Sequence, residues 1–358
     1  MIKGTMNGNP SLAVVVPSFN GGNDTLRCLA ALKKSVGAKL AVIVVDNAST
    51  DDSVLNVRKQ YPSVAIVEEQ TNTGFVGACT RGFTEAQKCG ASYVAFINQD
   101  CFVADNCLSE LVAALQNEKE AAAAQALILL DQDREQVNSA GNCIHYLGFG
   151  FSDREGEKIT SGALVPYLKA PRQVTYASGA ALMVRTADVK TLGLFPEAFF
   201  MYHEDLDFGW RILLAGKKSV LVPSARAFHR YEFSRSANIK YYYGERNRLI
   251  VLLQNYHWLT LLLMFPAWFA MEVGIVGFAL FKGWLPLKVK GYLYIVVHFS
   301  ELMKERARRQ KTRTVKDSEV LRHMSGSVRY QAVAATPLYF VNPFLEFYYL
   351  LIRAIIFW

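Results

Sequence analysis

From Leu12 onward, short runs of β-branched and apolar residues alternate with helix-length stretches of mixed character. LAVVVP precedes a helical segment over Asp24 to Ser35, and LAVIVVD at 40–46 precedes another over Asp52 to Gln60. VAIVE at 64–68 leads to a helix from about Phe75 to Lys88, and YVAFIN at 93–98 to one from about Asp105 to Glu118. Apolar runs that do not alternate with polar residues mark strands covered on both faces, as in a parallel sheet. Four such units in succession predict a doubly wound α/β layer. Between about Gln125 and Arg185 the spacing becomes irregular, with ALILL, YLGFGF and ALMVR as strand candidates, so a mixed second half of the same sheet is expected.

After Val222 and Pro223 the pattern changes. An aromatic and basic segment, YYYGERNRL at 241–249, leads into Leu259 to Phe281, which holds one charge, Glu272, and one helix-breaking residue, Pro266. At ~1.5 Å per residue such a stretch is long enough for the ~30 Å core of a bilayer. Lys288 and Lys290 interrupt any return span over 284–299, and a charge at mid-bilayer costs ~3 kcal/mol. A kinked hairpin half-sunk in one leaflet is therefore expected over two short spans or a buried soluble hairpin, with Trp258, Trp268 and Trp284 as interfacial residues. The C-terminal PLYFVNPFLEFYYLLIRAIIFW reads as a second amphipathic anchor. The predicted organisation is an α/β domain over 1–240 and a membrane-associating helical region over 241–358.

Charge follows the same division. The 358 residues carry 39 Lys and Arg against 31 Asp and Glu, a formal +8, with 51% hydrophobic residues. Residues 1–240 hold 24 basic and 24 acidic side chains, so the whole excess, 15 against 7, lies in 241–358. A basic region that is also the most apolar and aromatic part suits a membrane surface better than nucleic acid. Basic clusters on both flanks of the apolar stretch, including KERARRQKTR at 304–313, place both on the cytosolic side. The six cysteines show no metal-ligand spacing and read as reduced thiols. The polar start, MIKGTMNGNP, has no apolar signal region, so the α/β part is expected to face the cytosol.

Candidate chemistry collects at the carboxyl ends of the strands, where open sheets bind ligands. VVVPSFNGG at 14–22 ends a strand at Pro17 with small polar residues that can present backbone groups to a planar base. In VVDNASTDDS at 44–53, Asp46 ends a strand and can accept a base N–H or a ribose hydroxyl, while Asp52 reads as the cap of the next helix. NTGFVGACTRG at 72–82 brings three glycines into a helix without a dinucleotide or P-loop pattern. In FINQDC, Asp100 follows an apolar strand and is suited to a divalent cation bridging two phosphates. FFMYHEDLDFGWRILLAG at 199–216 sets an acidic cluster behind an aromatic run, at the start of an amphipathic helix ending at Gly216. Glu204 and Asp205 suit a helix start by the dipole alone, yet a partly buried carboxylate beside an acceptor hydroxyl is also what general-base catalysis needs.

Taken in this order, the segments resemble family 2 glycosyltransferases of the GT-A fold, in particular the bacterial rhamnosyltransferase-like branch, over about residues 10–250. The resemblance implies a nucleotide-sugar-binding mixed sheet flanked by helices, with Pro17, Ser18, Asn20, Asp46, Asn47, Gly74, Asn98 and Gln99 on the donor. It places a Mg2+ or Mn2+ ion at Asp100, with His229 of AFHRYEFSRS completing its shell. It makes Asp205 the base, Glu204 its orienting partner, and Ser178, Gly179, Asp207 and Arg211 acceptor-side residues. Thr80 stands where relatives often have Asn, LFPEAFF replaces a GFDE-like turn, and the QxxRW motif of processive members is absent. The implied reaction is inverting transfer of a single sugar from dTDP-rhamnose or a UDP-hexose. Its acceptor would be a saccharide on a polyprenyl diphosphate at the cytoplasmic face of the inner membrane, in surface polysaccharide (O-antigen) biosynthesis. The acceptor's diphosphate would suit Arg246, Arg248 or the 304–313 cluster, and no nucleic-acid partner is implied. A nucleotidyltransferase would want a basic glycine-rich N-terminal signature, which VVVPSFNGG lacks. A non-catalytic membrane scaffold would have little reason to keep Asp46, Asp100, Glu204 and Asp205 together.

Overall fold

The computed structural model describes residues 12–36, 40–231, 237–329 and 335–358. The polar residues 1–10 and the end of the AFHRYEFSRS segment, 232–236, lie outside them. The chain divides into two compact units whose segments interleave. One comprises 1–142, 152–200 and 218–232, the other 143–151, 201–217 and 233–358.

The first unit is built on one mixed sheet. In chain order its elements are β1 (Leu12–Ser18), α1 (Gly22–Lys33), β2 (Leu40–Asp46), α2 (Ser53–Gln60), β3 (Ala65–Glu68), α3 (Gly74–Lys88), β4 (Tyr93–Ile97), β5 (Cys101–Val103), α4 (Cys107–Asn117), β6 (Ala121–Leu130) and β7 (Val137–Ser139). After a short ribbon, β8 (Asn142–Ile144) with β9 (Gly150–Ser152), come β10 (Arg172–Val174), β11 (Ala181–Arg185), α5 (Thr186–Leu192) and β12 (Lys218–His229). The strand order is β10-β12-β6-β11-β4-β1-β2-β3, with β5 on β12 and β7 on β6. β1 runs parallel to β2 and β4, and β2 to β3, as the four βα repeats demand. β11 enters antiparallel between β4 and β6, and β6 is parallel to β12, which makes the sheet mixed in its second half.

This topology fixes where chemistry can sit. β12 and β6 point the same way as β4, so the ends of β1, β2, β4 and β12 share one edge of the sheet. Pro17 is tolerated inside β1 because pairing with β4 ends at Val15 opposite Phe96, leaving no ladder bond for its missing N–H to make on that side. The core is aliphatic: Val14, Val16, Val44, Ala95 and Ile97 are almost fully buried. All six cysteines are free. Burial pushes the Cys107 thiol up to about 12, with Glu110 adding to it, which keeps it protonated and inert.

The second unit is helical: α6 (Glu204–Leu214), α7 (Ala237–Asn255), α8 (Trp258–Lys282), α9 (Leu285–Val297), α10 (Phe299–Thr312), α11 (Asp317–Leu321) and α12 (Ala335–Ile355). The division is not the simple cut at 240/241 that composition predicts. The later helices claim two earlier stretches because they hold the partners of buried polar groups there. Arg248 of α7 donates to the carbonyl of Leu147 (3.2 Å), Tyr256 to that of Tyr146 (3.0 Å), and Arg309 of α10 pairs with Asp207 of α6.

α8 is the one helix among the described residues long and apolar enough to cross a membrane by length and composition. Lys288, expected to interrupt a return span as an uncompensated charge, is buried and paired with Glu245 (2.5 Å) and Glu272 (2.8 Å).

Candidate active site

Within the first unit, the shared strand edge gathers the residues expected on a donor and a cation. Ser18 and Asp46 stand opposite each other at the ends of β1 and β2, and the N–H of Asn47 donates to the Ser18 carbonyl (2.7 Å). Asn20 adopts a left-handed backbone (φ 48°), its N–H donating to Ser49 Oγ (2.8 Å) and its Oδ1 accepting from the Thr50 N–H (2.8 Å). Gln99 ties the loop after β4 to this turn, accepting from the Phe19 N–H (2.8 Å) and donating to the Phe19 carbonyl (3.2 Å). The Asn98 N–H donates to the Ala180 carbonyl (3.1 Å), which brings the Ser178–Gly179 turn to the same loop. The Ser178 N–H is held by Gln125 Oε1 (2.8 Å).

Two oxygens at this edge are buried without a hydrogen-bond partner. Asp46 Oδ2 accepts from the Ser49 N–H (3.0 Å), but Asp46 Oδ1 and Asn98 Oδ1 accept from nothing among the described residues. A buried acceptor left open costs on the order of 1–3 kcal/mol, so such atoms mark places where a ligand donor belongs.

Other residues expected on the donor have structural work instead. Asn47 is buried and its whole amide is committed: Nδ2 donates to Asn72 Oδ1 and the Gly74 carbonyl (3.0 Å each), while Oδ1 accepts from the Thr73 N–H and hydroxyl (2.9 Å each). It shapes the 72–74 turn and leaves nothing for a nucleotide. Gly74 is required by its own chain: φ is +73°, and a Cβ there would stand 2.3 Å from the Phe200 carbonyl oxygen. Asp52 occupies the cap position of α2 without a side-chain hydrogen bond, and Asp51 accepts from the Ser53 N–H (3.1 Å) in its place.

Asp100 and His229 come together from distant segments, His229 Nε2 lying 3.3 Å from Asp100 Oδ1. His229 Nδ1 is 3.0 Å from Asn138 Oδ1. The Asn138 oxygen engages Nδ1 and leaves Nε2 as the ring nitrogen on the Asp100 side. Among the described residues no group of three or more His, Cys, Asp or Glu gathers to enclose an ion. The pair therefore fits a cation that takes only one or two protein ligands and fills its remaining positions with water and phosphate oxygens.

The acidic cluster is assembled in the second unit. The chain enters α6 through three non-glycine residues with positive φ, Phe200 (62°), Tyr202 (66°) and His203 (68°), a costly run that persists only where neighbours enforce it. Asn247, fully buried on α7, donates through Nδ2 to the carbonyls of Met201 (3.0 Å) and Tyr202 (2.8 Å) and holds that segment. Glu204 opens α6 with its side chain buried and Oε2 without a partner among the described residues. Burial pushes its carboxyl well above the usual carboxylate range, and the negative charges of Asp205 and Asp207 push it further. Asp205 is half-buried, and its Oδ1 accepts from the Leu206 N–H (2.7 Å). Burial thus biases the Glu204 carboxyl toward its protonated form beside the more accessible Asp205.

Asp207 and Arg211, expected to face an acceptor, are enclosed. Arg211 Nε donates to Asp207 Oδ2 (2.8 Å), Arg309 pairs with Asp207 Oδ1, and Asn255 Nδ2 donates to the same oxygen (3.3 Å). Burial alone would raise the Asp207 carboxyl, yet Arg309 and Arg211 hold it below the usual range. Arg248, a candidate for an acceptor diphosphate, is likewise fully buried, held between Glu245 and Glu272. Arg306 and Arg309 of the 304–313 cluster are buried, while Lys304, Arg308 and Lys311 stay exposed. Asn247 and Asn255 are site-supporting residues that sequence reading passes over, their signal being a polar residue at helical spacing in a largely apolar stretch, and Arg309 stands there only as part of the 304–313 cluster offered to an acceptor diphosphate.

Residues 13–166 match the family described as Glycosyl transferase family 2, and residues 93–304, more than half of the chain, match Glycosyl transferase family group 2. The chain is a family 2 glycosyltransferase. This glycosyltransferase is 28% identical over 235 residues to the N-acetylglucosaminyl-diphospho-decaprenol L-rhamnosyltransferase of Mycobacterium tuberculosis, which covers 61% of this chain and 75% of that one. It is 33% identical over 98 residues to the uncharacterized glycosyltransferase YibD of Escherichia coli, 26% of this chain and 27% of that one. Among solved structures it is similar to GalNAc-T7 with UDP, GalNAc and Mn2+, at a TM-score of 0.56 and 17% identity, covering 70% of this chain. The alignment spans 48% of that longer chain, and the likeness is one of fold, the GT-A sheet.

Proposed function

We propose that this glycosyltransferase moves a single sugar, with inversion, from a nucleoside-diphosphate sugar to a saccharide carried on a polyprenyl diphosphate. The acceptor class follows the name of the mycobacterial relative, and the work is assigned to the cytoplasmic face of the membrane. The observation that carries the chemistry is the unequal carboxyl pair. Asp205, the more accessible member, takes the acceptor hydroxyl proton as that oxygen attacks the anomeric carbon. Glu204, whose carboxyl burial pushes up, orients the site. Asp46 Oδ1 and Asn98 Oδ1, the two open acceptors, suit the N–H of a pyrimidine base and a sugar or ribose hydroxyl. Asp100 and His229 would hold Mg2+ or Mn2+, which when bound neutralises a departing diphosphate. Asp207 and Arg211 serve as positioning residues that fix α6. The rhamnosyl donor is favoured over a UDP-hexose by the relative's name alone.

Purified protein incubated with a panel of nucleotide sugars, with and without a membrane lipid extract, tests the reading through nucleoside diphosphate release. Lipid-dependent release from one donor, lost on chelation, is expected. Release from none, with no nucleotide binding by calorimetry, would overturn it.

A further inference from the structure

α8, α9 and α12 present apolar side chains on two faces, and only one of them is used inside the protein. On α8 the inward face carries Thr260, Met264, Glu272 and Ala279, while Leu262, Phe265 and Phe269 point outward and are half exposed or more. Val297 of α9 and Phe344 and Phe347 of α12 are also outward, between 69% and 77% exposed. The three helices are joined side by side: Tyr348 of α12 donates to the Leu263 carbonyl (2.5 Å), Trp358 Nε1 to Thr260 Oγ1 (3.0 Å), and Lys288 of α9 pairs with Glu272 of α8.

From this arrangement we infer that α8, α9 and α12 form a raft lying flat in one leaflet of an anionic bilayer, and that α8 does not cross it. This extends the lipid-linked-acceptor reading and rests on it for its biological sense. The argument is topological. Both neighbours of the α8–α9 hairpin are fixed to the same polar body: α7 through Arg248 on the Leu147 carbonyl, α10 through Arg309 on Asp207. A crossing α8 would need α9 to return the chain. α9 has 13 residues, which at ~1.5 Å each reach ~20 Å, short of a ~30 Å hydrocarbon core. Crossing would also carry Glu272, midway along α8, to the bilayer centre together with its partners Arg248 and Lys288. In the plane of the membrane, that cluster stays on the aqueous side of the helix while the outward side chains enter the acyl region.

Charge identifies the occupant as anionic lipid. The exposed charges on the three helices are Lys282, Lys290 and Arg353 against Glu346, which accepts from the Ser327 hydroxyl, and the acid of α8, Glu272, is buried. Lys290, Leu293 and Val297 share one helical face, an apolar patch with a snorkelling cation. A second copy of the chain would oppose lysine to lysine there.

Flotation of the full chain with vesicles tests the raft. We expect co-migration with vesicles containing about one third phosphatidylglycerol and roughly tenfold weaker binding to phosphatidylcholine alone. Phe344→Glu with Phe347→Glu, both at exposed positions, should release the protein with its circular dichroism unchanged. A membrane-impermeant amine reagent added outside sealed vesicles, read by peptide mapping, should label Lys282 equally before and after lysis. Labelling of Lys282 only after lysis overturns the in-plane placement. Failure to float on either composition, or self-association abolished by the same pair of substitutions, overturns the lipid surface. Binding to vesicles without sugar transfer from any donor would leave the raft standing and remove the acceptor reading.

Discussion

Asp205 and Glu204 are adjacent in sequence and opposite in setting, and that contrast can be measured. Asp205→Asn removes the carboxylate proposed as the base and should lower kcat by about 10²–10⁴-fold with nucleotide affinity unchanged. Glu204→Gln keeps the shape of a carboxyl that burial biases toward its protonated form, so it should retain activity within roughly tenfold. Initial rates and calorimetry on both variants check the pair, and an equal loss from both would assign the base elsewhere. Gly74→Ala should destabilise the protein by roughly 1–3 kcal/mol, because φ +73° and the Phe200 carbonyl leave no place for a methyl group. Denaturant titration reads this directly. At this scale residue type and spacing single out Asp46 and Asp100, the family resemblance adds His229, and the structure sets Asp46 at the end of β2 and brings Asp100 within 3.3 Å of His229. The sequence misled at Asn47, whose amide suits a ribose as well as it suits the 72–74 turn it actually closes.

At the scale of elements, α6 was visible as an amphipathic helix behind an acidic cluster. What anchors it was not, because its partners come from α7 and α10, roughly fifty and a hundred residues further along the chain. KERARRQKTR reads as a solvated basic stretch, yet helical periodicity turns Arg306 and Arg309 inward and leaves Lys304, Arg308 and Lys311 outside. Arg309→Met leaves the buried Asp207 carboxylate with Arg211 and the Asn255 amide and should cost about 3–5 kcal/mol by thermal or urea unfolding. The double variant Asp207→Asn with Arg309→Met should cost less than the two single losses added together, since each single change already breaks the Asp207–Arg309 pair that the double variant loses once. The β-sheet order shows the same limit. The parallel half follows from the alternation of strands and helices, whereas the antiparallel entry of β11 between β4 and β6 has no local signature.

For the molecule as a whole, two buried histidines set a pH dependence. His145 is enclosed, with Nε2 on the Gly326 carbonyl (3.0 Å) and Nδ1 accepting from the Leu147 N–H (3.1 Å), and burial lowers it to about 3. Burial likewise lowers His203 to about 4, partly offset by Glu245. Both depressed values lie below those of the unfolded chain, so their stabilisation is complete above about pH 6.5 and declines as the pH falls toward 4. Each histidine contributes a loss of about 1.4 kcal/mol per pH unit in that window. Glu204, raised in the fold, acts in the opposite sense above its unfolded value. The test is therefore comparative: in urea midpoints between pH 7 and 4.5, His145→Gln should fall less steeply than the parent protein by about one histidine's share.

The interleaved division of the chain has a consequence for synthesis. Asp207 and Arg309 are 102 residues apart. At ~5–20 residues per second, a ribosome delivers the guanidinium roughly 5–20 s after the carboxylate. Throughout that interval the strands of the sheet before β12 are already available to pair, while α6 waits with a charged group that cannot be buried. The sheet can mature on the nascent chain, but α6 gains its last partner only after α10 has been made. Fragments stopping near residue 240 should therefore form the sheet while α6 lacks the partners that hold it.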